Sequence, residues 1–576
     1  MGFRRLAVAL TALYACSPPV AGGRADAAQV SAPVASASAP AGHAAGPRVI
    51  TVVGTNDLHG RVAALPLLAG YVSRLRATRA KDGGVLLVDA GDMFQGTLES
   101  NLAEGLPIVK AYGAMGYGAV TIGNHEFDFG PAGPDATPRS PDQDPRGALK
   151  AAAKAAPFPF LAANVIDEST KKPVDWPNVK PSTMVDVAGV KIGLIGITTQ
   201  ETLETTISAN VKGLSIMPLA KAVGAEASRL RQAGAEVVVV LSHAGGKCKT
   251  FTGDIAADQC EDKSEAFELA RALPPGAIDV IVAGHSHAGV AHEVAGVAII
   301  EQFSNGRAFG RVDLTIADGR VAQKKIFAPR DLCPGTEKAD PATCDPGQYE
   351  GGPIERDAQV ATTIAPAIES AKEKRASLIG PDLPEGMKRD YHDESALGNL
   401  FADLVREARP GADIGLMNGG GLRADLPKGP LSYGSLFEAF PFDNRLAVAE
   451  LTGKELRELV RTHLKKDGGI LSFSGVTVST SCKDGSLEVS IERAGKKRKV
   501  ADDEKVVIVG SDFLFTGGDG FWGELKPPHV EILDELMRDA LERGLKQRKS
   551  IAPSSVFDPK KPRLKLVGRR PIQCKG

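Results

Sequence analysis

Along the first half of the chain, short apolar runs rich in Val and Ile alternate with longer segments rich in Ala, Leu and Arg. The apolar runs are continuous rather than alternating, which is typical of strands buried on both faces of a sheet. The segments between them, such as 67–79 and 219–232, have the spacing of helices. The pattern extends from about residue 49 to residue 315 and predicts an α/β domain built in layers.

Each apolar run stops abruptly at polar residues that are able to bind a metal ion. The runs and their polar ends are TVVGTNDLH with Asp57 and His59, VLLVDAGD with Asp92, AVTIGNHE with Asn124 and His125, VVVVLSHAGG with His243, and DVIVAGHSH with His285 and His287. Five of the ten histidines of the chain therefore lie at predicted strand ends. In α/β folds the carboxyl ends of strands meet at one crevice, so we predict a metal site there.

The ligand types indicate the class of metal. Carboxylates, imidazoles and one amide oxygen suit a divalent ion such as Mn, Zn, Co or Fe. Two such ions that lie about 3.5–4 Å apart need a shared ligand. A carboxylate can bridge them, because it has two oxygens and a negative charge that offsets the repulsion between cations. Asp92, in the tight turn of the AGD sequence, is the predicted bridge.

Charge and the N-terminus bear on location and partners. A net charge of −1 gives no overall field that would attract nucleic acid polymers or acidic membranes. A pair of arginines precedes a short apolar run, 6–14, which is typical of a signal peptide and too short to span a bilayer. The run leads to Cys16 in a sequence that resembles a bacterial lipoprotein box; ordinary cleavage near Ala28 is the alternative. We expect export to the cell envelope, either to the periplasm or as a lipid-anchored lipoprotein, and no protein partner.

The cysteines other than Cys16 are even in number, which favours disulfides in an exported chain. The pairs predicted from proximity along the chain are Cys248–Cys260, Cys333–Cys344 and Cys482–Cys574. Many other connectivities remain open. A zinc–cysteine site is not expected, because the sequence has no C-x-x-C spacing.

Changes in composition mark the predicted domain boundaries. A Cys/Pro/Gly-rich stretch closes the first domain, and a helical pattern rich in Ala, Glu and Lys follows it. A second domain then carries the runs MNGGGLRADLP, FEAFPFDNRL and SDFLFTGGDGF. The predicted division is a signal peptide at 1–16, an Ala/Ser/Pro-rich linker at 17–47, the first domain at 48–353, a connector helix at 354–379 and the second domain at 380–570.

The motifs D-x-H, GD, GNHE, SHAGG and GHSH together resemble those of the calcineurin-like metallophosphoesterases. NGGGLR, PFDN and GGDGF in the second domain narrow the resemblance to the 5′-nucleotidase family, which includes bacterial periplasmic UDP-sugar hydrolase/5′-nucleotidases. The resemblance covers roughly residues 48–565. It implies an α/β fold with a four-layer α/β/β/α metallophosphoesterase domain, a connector helix and a second α/β domain that binds the substrate.

The resemblance also implies roles for individual residues. The first metal ion would be held by Asp57, His59, Asp92 and His287, and the second by Asp92, Asn124, His243 and His285. His125 resembles the catalytic histidine of the family, and Asp128 resembles the acid that orients it. A turn acid within EFDFG is the alternative interpretation of Asp128.

The second domain is expected to select the substrate. The implied contacts are Phe442 and Phe513 on the two faces of the base, Asp519 on the ribose hydroxyls, Asn418 and Arg423 on the nucleotide and its phosphate, and Asn444 on the base. One position departs from the family. Several members carry an arginine just before the E-S/C-x-x-G-N helix start, where YHDESALGN has Asp393. An acid there would repel phosphate, so either another basic residue replaces the arginine or the substrate is held differently.

These features predict an exported phosphohydrolase with two divalent metal ions. Its reaction would release nucleoside and phosphate from nucleoside 5′-monophosphates through attack of a metal-bound hydroxide. Other nucleotides and UDP-sugars are further candidate substrates. The main alternative is a 2′,3′-cyclic nucleotide phosphodiesterase with 3′-nucleotidase activity, since that group shares most of these motifs. Two less favoured hypotheses are a thiosulfate-oxidation enzyme of similar fold and a surface binding protein that has lost catalysis.

Overall fold

The computed structural model describes residues 47–133, 135–251, 259–335, 339–495 and 498–574. The predicted signal peptide, the lipidation site at Cys16 and nearly all of the predicted linker lie outside the described residues. Among the described helices, none combines the length and the apolar character that crossing a bilayer requires.

A mixed sheet begins the first domain. Its strands, in spatial order, are Arg320–Asp331, Ala308–Ala317, Arg48–Thr55, Gly83–Asp89, Ala119–Thr121, Phe160–Leu161 and Val179–Lys180. Strand 48–55 runs parallel to strand 83–89, which runs parallel to strand 119–121. The carboxyl ends of these three strands therefore open on one edge of the sheet.

A second mixed sheet packs against the first. Its strands, in spatial order, are Gly289–Val294, Val297–Gln302, Val280–Ala283, Val237–His243, Val190–Thr198 and Ser182–Val187. Strand 237–243 is parallel to both of its neighbours, 190–198 and 280–283. Its carboxyl end and that of strand 280–283 are consequently side by side.

Successive residues of these strands face different apolar layers. Val52 packs in the layer between the two sheets, whereas Val53 packs among the helices outside the first sheet. Val239 likewise faces the layer between the sheets, and Val240 faces the helices outside the second sheet. Burial of each such side chain contributes about 1.5–3 kcal/mol. The order of layers is helix, sheet, sheet, helix, which confirms the predicted architecture.

Helices cover the outer faces of both sheets. The helices of the first domain are Leu65–Arg79, Leu98–Asn101, Leu106–Met115, Gly147–Ala155, Ser208–Val211, Leu219–Gln232 and Glu265–Ala272. Short 3₁₀ turns lie at Val62–Ala64, His125–Phe127 and Gln200–Leu203. The predicted helices 67–79 and 219–232 are thus present with nearly the expected bounds.

The connector helix is shorter than the predicted 354–379 and spans Ala358–Ala376. It begins after Asp357, whose side chain accepts a hydrogen bond from the Val360 backbone N–H at 2.9 Å and so caps the first turn. It ends because the chain turns into a strand, Leu378–Leu383, that pairs with Gly429–Ser432. Capping and strand pairing therefore trim both ends of the helical pattern.

The second domain is built on a mixed sheet with apolar layers on both faces. Its strands, in spatial order, are Leu471–Ser474, Ile414–Asn418, Lys505–Ser511, Arg445–Thr452 and Val530–Leu536. Its helices are Ala396–Ala408, Tyr433–Ala439, Gly453–Lys465, Asp512–Phe515 and Met537–Lys546, with 3₁₀ turns at Gly419–Gly421, Gly518–Gly520 and Pro553–Ser555. Leu416 and Met417 face opposite layers of this sheet.

Smaller sheets complete the described chain. Their strands are Leu214–Ile216, Val165–Asp167 and Lys172–Pro173; Gln348–Tyr349 and Gly352–Pro353; and Arg498–Lys499, Ser486–Arg493, Val476–Lys483 and Leu564–Lys565. The last of these sheets fastens the C-terminal segment to the second domain.

The predicted cysteine pairs are all bonded in the described structure: Cys248–Cys260, Cys333–Cys344 and Cys482–Cys574. The first two close loops between neighbouring segments, with separations of 12 and 11 residues. The third joins residues 92 positions apart and fixes the C-terminal segment.

Replacing Cys482 and Cys574 by serine should lower the free energy of unfolding by about 4.6 kcal/mol, because cross-linking a long loop removes the most entropy from the unfolded chain. The control replaces Cys333 and Cys344, where the shorter loop predicts a loss of about 3 kcal/mol. Urea unfolding of the oxidised proteins measures both. A larger loss in the control would contradict the loop-entropy argument.

Candidate active site

The predicted metal ligands are carried by turns that directly follow the parallel strands of both sheets. Their backbone is held in the left-handed region at Asp57, His59, Asp92, His285 and His287, with φ of 49°, 47°, 56°, 77° and 56°. For a residue other than glycine such a conformation costs about 1–3 kcal/mol, and it persists where the surrounding structure enforces it. The backbone of these turns is therefore strained, and in this conformation the side chains point toward one another.

One group of ligand atoms comes from Asp57, His59 and His287, and these atoms all lie within 4.8 Å of one another. The Nε2 atoms of His59 and His287 are 2.9 Å apart. The Asp57 Oδ1 atom is 3.2 Å from His287 Nε2 and 3.8 Å from His59 Nε2. These residues come from the first sheet and the second, so the group forms only where the two sheets meet.

A second group comes from Asp92, His243 and His285, again within 4.8 Å of one another. Asn124 joins it, since its Oδ1 atom is 3.0 Å from His243 Nε2. Asp92 Oδ2 lies 3.1 Å from His243 Nε2 and 4.0 Å from His59 Nε2. The Asp92 carboxylate therefore faces both groups, as the predicted bridge should.

Backbone carbonyls orient two of these imidazoles. His243 Nδ1–H donates to the Ala90 carbonyl at 2.8 Å, and His59 Nδ1–H donates to the Gln95 carbonyl at 3.0 Å. In each ring this arrangement turns Nε2 toward the other ligands. Metal-binding histidines characteristically use their second nitrogen in this way.

The two groups of side chains together are called the metal-ligand cluster. The electrostatics of this cluster favour bound positive charge. Burial alone would raise the pKa of Asp57 and Asp92, but the facing imidazoles outweigh burial and hold both pKa values well below their usual range. Burial opposes protonation of His243, yet the Asp92 carboxylate dominates and raises the pKa of His243 to about 10. Two fully buried carboxylates thus draw a compensating proton into the cluster.

The residues fit divalent metal ions. Asp57 Oδ1 is buried and has no hydrogen-bond partner in the described structure, although a buried carboxylate oxygen normally has one. The donor set of carboxylate, imidazole and amide oxygen is the one that first-row divalent ions prefer. A cation would satisfy the orphaned oxygen and replace the compensating proton.

His125 and Asp128 form a hydrogen-bonded pair beside the metal-ligand cluster. His125 Nδ1 and Asp128 Oδ2 are 2.6 Å apart, and Thr206 Oγ1 donates to the other Asp128 oxygen at 3.1 Å. Burial would lower the pKa of His125, but the carboxylates of Asp128 and Asp92 outweigh it and raise that pKa. Asp128 therefore orients the ring through Nδ1. The other ring nitrogen, His125 Nε2, takes no part in the hydrogen bond with Asp128.

Sequence patterns did not single out Glu126, which lies within the GNHE motif. Its carboxylate accepts the backbone N–H groups of Asp92, Met93 and Gly123 at 2.7–2.8 Å. These bonds shape the turns that present Asp92 and Asn124. The available signal was an acid immediately after the predicted catalytic histidine within GNHE; in the structure this acid is 1% exposed.

The predicted catalytic and substrate residues share one cavity of about 840 Å³ with the metal ligands. Asp57 and His243 do not reach its surface, because both are fully buried behind it. The other predicted residues all line it: His59, Asp92, Asn124, His125, Asp128, His285, His287, Asn418, Arg423, Phe442, Asn444, Phe513 and Asp519.

The second domain approaches the metal cluster directly. Arg423 Nη2 is 3.4 Å from His59 Nε2, and the Arg423 guanidinium lies 5.7 Å from the centre of the Phe442 ring. The Phe442 and His125 rings are also 5.7 Å apart. The predicted base-binding and catalytic groups are therefore neighbours.

The ribose-binding prediction concerns Asp519, which adopts a left-handed φ of 55° in the GGDGF turn. Asn418 Nδ2 donates to its carboxylate at 2.9 Å. The Asp519 backbone N–H donates to the Glu204 carbonyl of the first domain at 2.8 Å. These contacts hold the acid at the seam between the two domains.

The departure at Asp393 has a structural counterpart in Arg389. The Asp393 backbone N–H is held in an exposed turn by the Asp390 side chain, and Asp393 is not part of the described cavity lining. Arg389 does line the cavity, together with Arg423. A basic side chain thus reaches the pocket from four positions earlier in the sequence.

Buried carboxylates and imidazoles at the strand ends of an α/β/β/α sandwich define the site of a metal-dependent phosphoesterase. The chain matches the family model for calcineurin-like phosphoesterases over residues 50–289 and that for the 5′-nucleotidase C-terminal domain over residues 376–524. Together these models cover more than half of the chain. The chain therefore belongs to the 5′-nucleotidase family of phosphoesterase hydrolases.

Individual relatives agree with this assignment. The chain is 27% identical over 538 residues to the trifunctional nucleotide phosphoesterase protein YfkN of Bacillus subtilis, covering 86% of this chain but only 34% of that protein. It is 25% identical to a 5′-nucleotidase of Vibrio cholerae, covering 82% of this chain and 85% of that one.

Among solved structures, a 5′-nucleotidase precursor from Thermus thermophilus superposes with a TM-score of 0.69 at 24% identity. The superposition covers 90% of this chain and 99% of that chain. At this identity the likeness supports the fold.

Gly123→Ala should weaken Mn²⁺ binding at least tenfold, because an added Cβ would lie 2.3 Å from Asp92 Oδ1 and 2.7 Å from the Asp92 backbone nitrogen. Gly224→Ala is the control, since its Cβ would meet a side chain at an ordinary 3.5 Å within a helix. Isothermal titration with Mn²⁺ compares the two. Equal affinities would show that Asp92 tolerates displacement.

Proposed function

We propose that this chain is an exported phosphohydrolase that converts nucleoside 5′-monophosphates to nucleoside and phosphate. The observation that carries the proposal is the contact between the two halves of the cavity. Arg423 lies 3.4 Å from His59, and Phe442 lies 5.7 Å from His125. A phosphate at the cluster would therefore have its nucleoside beside the aromatic rings.

The metal-binding roles are proposed for the residues of the two ligand groups. The first ion would be held by Asp57, His59, Asp92 and His287, and the second by Asp92, Asn124, His243 and His285. When bound, two divalent ions supply charge neutralisation for the phosphoryl oxygens and an activated water as nucleophile. Mn, Zn, Co and Fe remain the candidate ions.

His125 acts on the phosphoryl group or the leaving oxygen. Its Nδ1 is engaged by Asp128, so the ring presents Nε2 to the cavity. Nε2–H can donate a hydrogen bond to the charge that develops in the transition state, or a proton to the leaving alkoxide. Asp128 fixes the tautomer and the orientation of the ring for that purpose.

The second domain holds the nucleoside. The Phe442 and Phe513 rings bind the faces of the base, where stacking contributes about 1–3 kcal/mol. Asp519, fixed by Asn418, accepts hydrogen bonds from the ribose hydroxyls, and Asn444 contacts the base. These roles use side chains that line one continuous cavity.

Arginine side chains of the second domain bind the phosphate. Arg423 is placed beside the cluster and provides the fork of donors that suits a phosphate. Arg389 enters the same cavity and replaces the arginine that the sequence lacks at Asp393. Asp393, held in an exposed turn, does not oppose the substrate.

The disulfides support location in an oxidising compartment. Such bonds persist in secreted and periplasmic proteins and are rare in the cytosol. All of the predicted pairs are bonded in the described chain. We therefore propose that the protein functions outside the cytoplasm, in the cell envelope, with a nucleotide as its small-molecule partner.

Hydrolysis of cyclic or diester nucleotides is the second candidate activity. The name of the trifunctional nucleotide phosphoesterase, which matches 86% of this chain over 34% of its own length, implies more than one kind of nucleotide ester and so favours a second activity. The same ligand residues would serve a phosphodiester, because bound divalent ions would neutralise the phosphoryl oxygens in either case. The substrates must therefore be compared directly.

We expect 5′-AMP to release phosphate faster than 2′,3′-cAMP, ATP or UDP-glucose in the presence of Mn²⁺. His125→Ala should lower kcat for 5′-AMP by about 10²- to 10⁴-fold, because the general acid is removed. Phosphate release and product chromatography measure both effects.

His529→Ala is the matched control, because His529 is an exposed histidine of the second domain. Faster cleavage of 2′,3′-cAMP than of 5′-AMP would replace the proposed activity by the diesterase. Absence of turnover for all of these nucleotides would refute both.

Phe513→Ala should raise KM for 5′-AMP about 5- to 150-fold with a small change in kcat, since only stacking on the base is lost. Phe513→Tyr keeps the ring and should stay near the wild-type KM. Ribose 5-phosphate has no base, so its KM should be the same in wild type and Phe513→Ala. A parallel rise in KM for ribose 5-phosphate would show that Phe513 does not bind the base.

A further inference from the structure

Glu301 is a fully buried acid that the proposed reaction does not use. It lies near the end of the strand Val297–Gln302, at 0% exposure, and the four strand residues before it, VAII, are all apolar. An unpaired carboxylate in such a place would be strongly destabilising. Its hydrogen bonds therefore indicate what it does.

The side chain joins the two turns that carry the histidines of the second sheet. Oε2 accepts the Gly246 backbone N–H at 2.9 Å, and Oε1 is 2.7 Å from Ser286 Oγ. Gly246 follows His243 by three residues, and Ser286 lies between His285 and His287. One carboxyl group thus bonds to both of the turns that position three candidate metal ligands.

The space between these turns is closely filled. A Cβ added to Gly245 would lie 2.3 Å from the Gly284 carbonyl and 2.7 Å from Glu301 Oε2. Only glycine allows the backbone after His243 to approach the GHSH turn and the acid so closely. The close contact between the two turns and Glu301 therefore depends on the glycine at position 245.

The hydrogen-bond count sets the protonation state of Glu301. Ser286 Oγ is 2.8 Å from the Gly246 carbonyl and 2.7 Å from Glu301 Oε1. Each of these oxygen–oxygen contacts needs a proton, and the serine supplies one. The Ala288 N–H also donates to Ser286 Oγ at 3.3 Å and brings no proton to either contact. The second proton must be on Glu301.

The surroundings agree with a neutral acid. Burial raises the pKa of Glu301 to about 8, and the Asp57 carboxylate adds to this effect. Within the described chain, no lysine or arginine forms an ion pair with Glu301.

We propose that Glu301, as a neutral carboxylic acid, is a positioning residue that, through Ser286 and Gly246, holds His243, His285 and His287 in the arrangement that binds metal. Its carboxyl group bonds to Gly246 and Ser286, and Glu301 is not part of the described cavity lining. The inference rests on the proposed function only in assigning metal binding to these histidines. Supporting residues of this kind change metal affinity about 10- to 100-fold when removed.

The test measures Mn²⁺ affinity by isothermal titration of the whole chain, without any nucleotide. Glu301→Ala should weaken Mn²⁺ binding about 10- to 100-fold. Glu301→Gln should restore most of the affinity, because an amide N–H can donate to Ser286 while its oxygen accepts from Gly246. An ionised Glu301 would accept both bonds, and glutamine would then fail to replace it.

Two further variants separate positioning from general stability. Ile299→Ala removes a buried side chain two residues earlier on the same strand; it should lower the melting temperature and leave Mn²⁺ affinity unchanged. Ser286→Ala removes one hydroxyl from the bridge with little change in volume, and it should weaken Mn²⁺ binding even if Glu301→Ala proves too unstable to purify.

The outcomes distinguish the two proposals. Wild-type affinity in both Glu301→Ala and Ser286→Ala would overturn the positioning role. A Glu301→Gln protein as weak as Glu301→Ala would overturn the neutral-acid assignment. A wild-type chain that bound none of Mn²⁺, Zn²⁺, Co²⁺ and Fe²⁺ would overturn the proposed function and this inference together, whereas the variant failures leave the proposed function intact.

Discussion

The structure of this protein depends on the burial of two carboxylates, Asp57 and Asp92, with almost no exposure to solvent. Charges buried in this way are strongly destabilising unless opposite charge accompanies them. The protonated imidazole of His243 compensates part of that charge, and a bound divalent cation would take the place of this proton. The left-handed turns and the parallel strands that open on one edge all serve to bring these groups together.

The strand ends of the first domain could be predicted from sequence because the signal is local. An apolar run followed at once by Asp57 and His59 is visible without knowledge of the fold. Parallel pairing then brings such ends to one edge. Glu301 escaped prediction because its partners are 15 and 55 positions away along the chain. A single acid in the apolar run VAIIEQ was the available signal, but periodicity cannot show what it faces.

The second domain was a harder case. Phe442, Phe513 and Asp519 were selected because their motifs resemble a known family, since isolated aromatic residues in a chain with 20 phenylalanines carry little information. Comparison of motif positions also fails where a side chain at a different position takes the expected place. Asp393 occupies the place of an expected arginine, yet Arg389 is the residue that enters the cavity. A turn of four residues decides which side chain faces the ligand, and no alignment of motifs determines that turn.

The division of labour between the domains explains why neither is sufficient for the proposed reaction. The first domain carries every predicted metal ligand, but the rings and amides that would select a nucleoside come from the second. The contact between them is polar and specific: the Arg375 side chain of the connector helix bonds to Glu99 at 2.6 and 2.9 Å and to Glu438 at 2.5 Å, while the Asp519 backbone donates to Glu204. Apolar packing joins the domains as well, because Leu98 of the first domain, 1% exposed, lies in an apolar cluster made mainly of second-domain residues. In the proposed reaction, substrate choice would therefore depend on the same domain contact that completes the cavity.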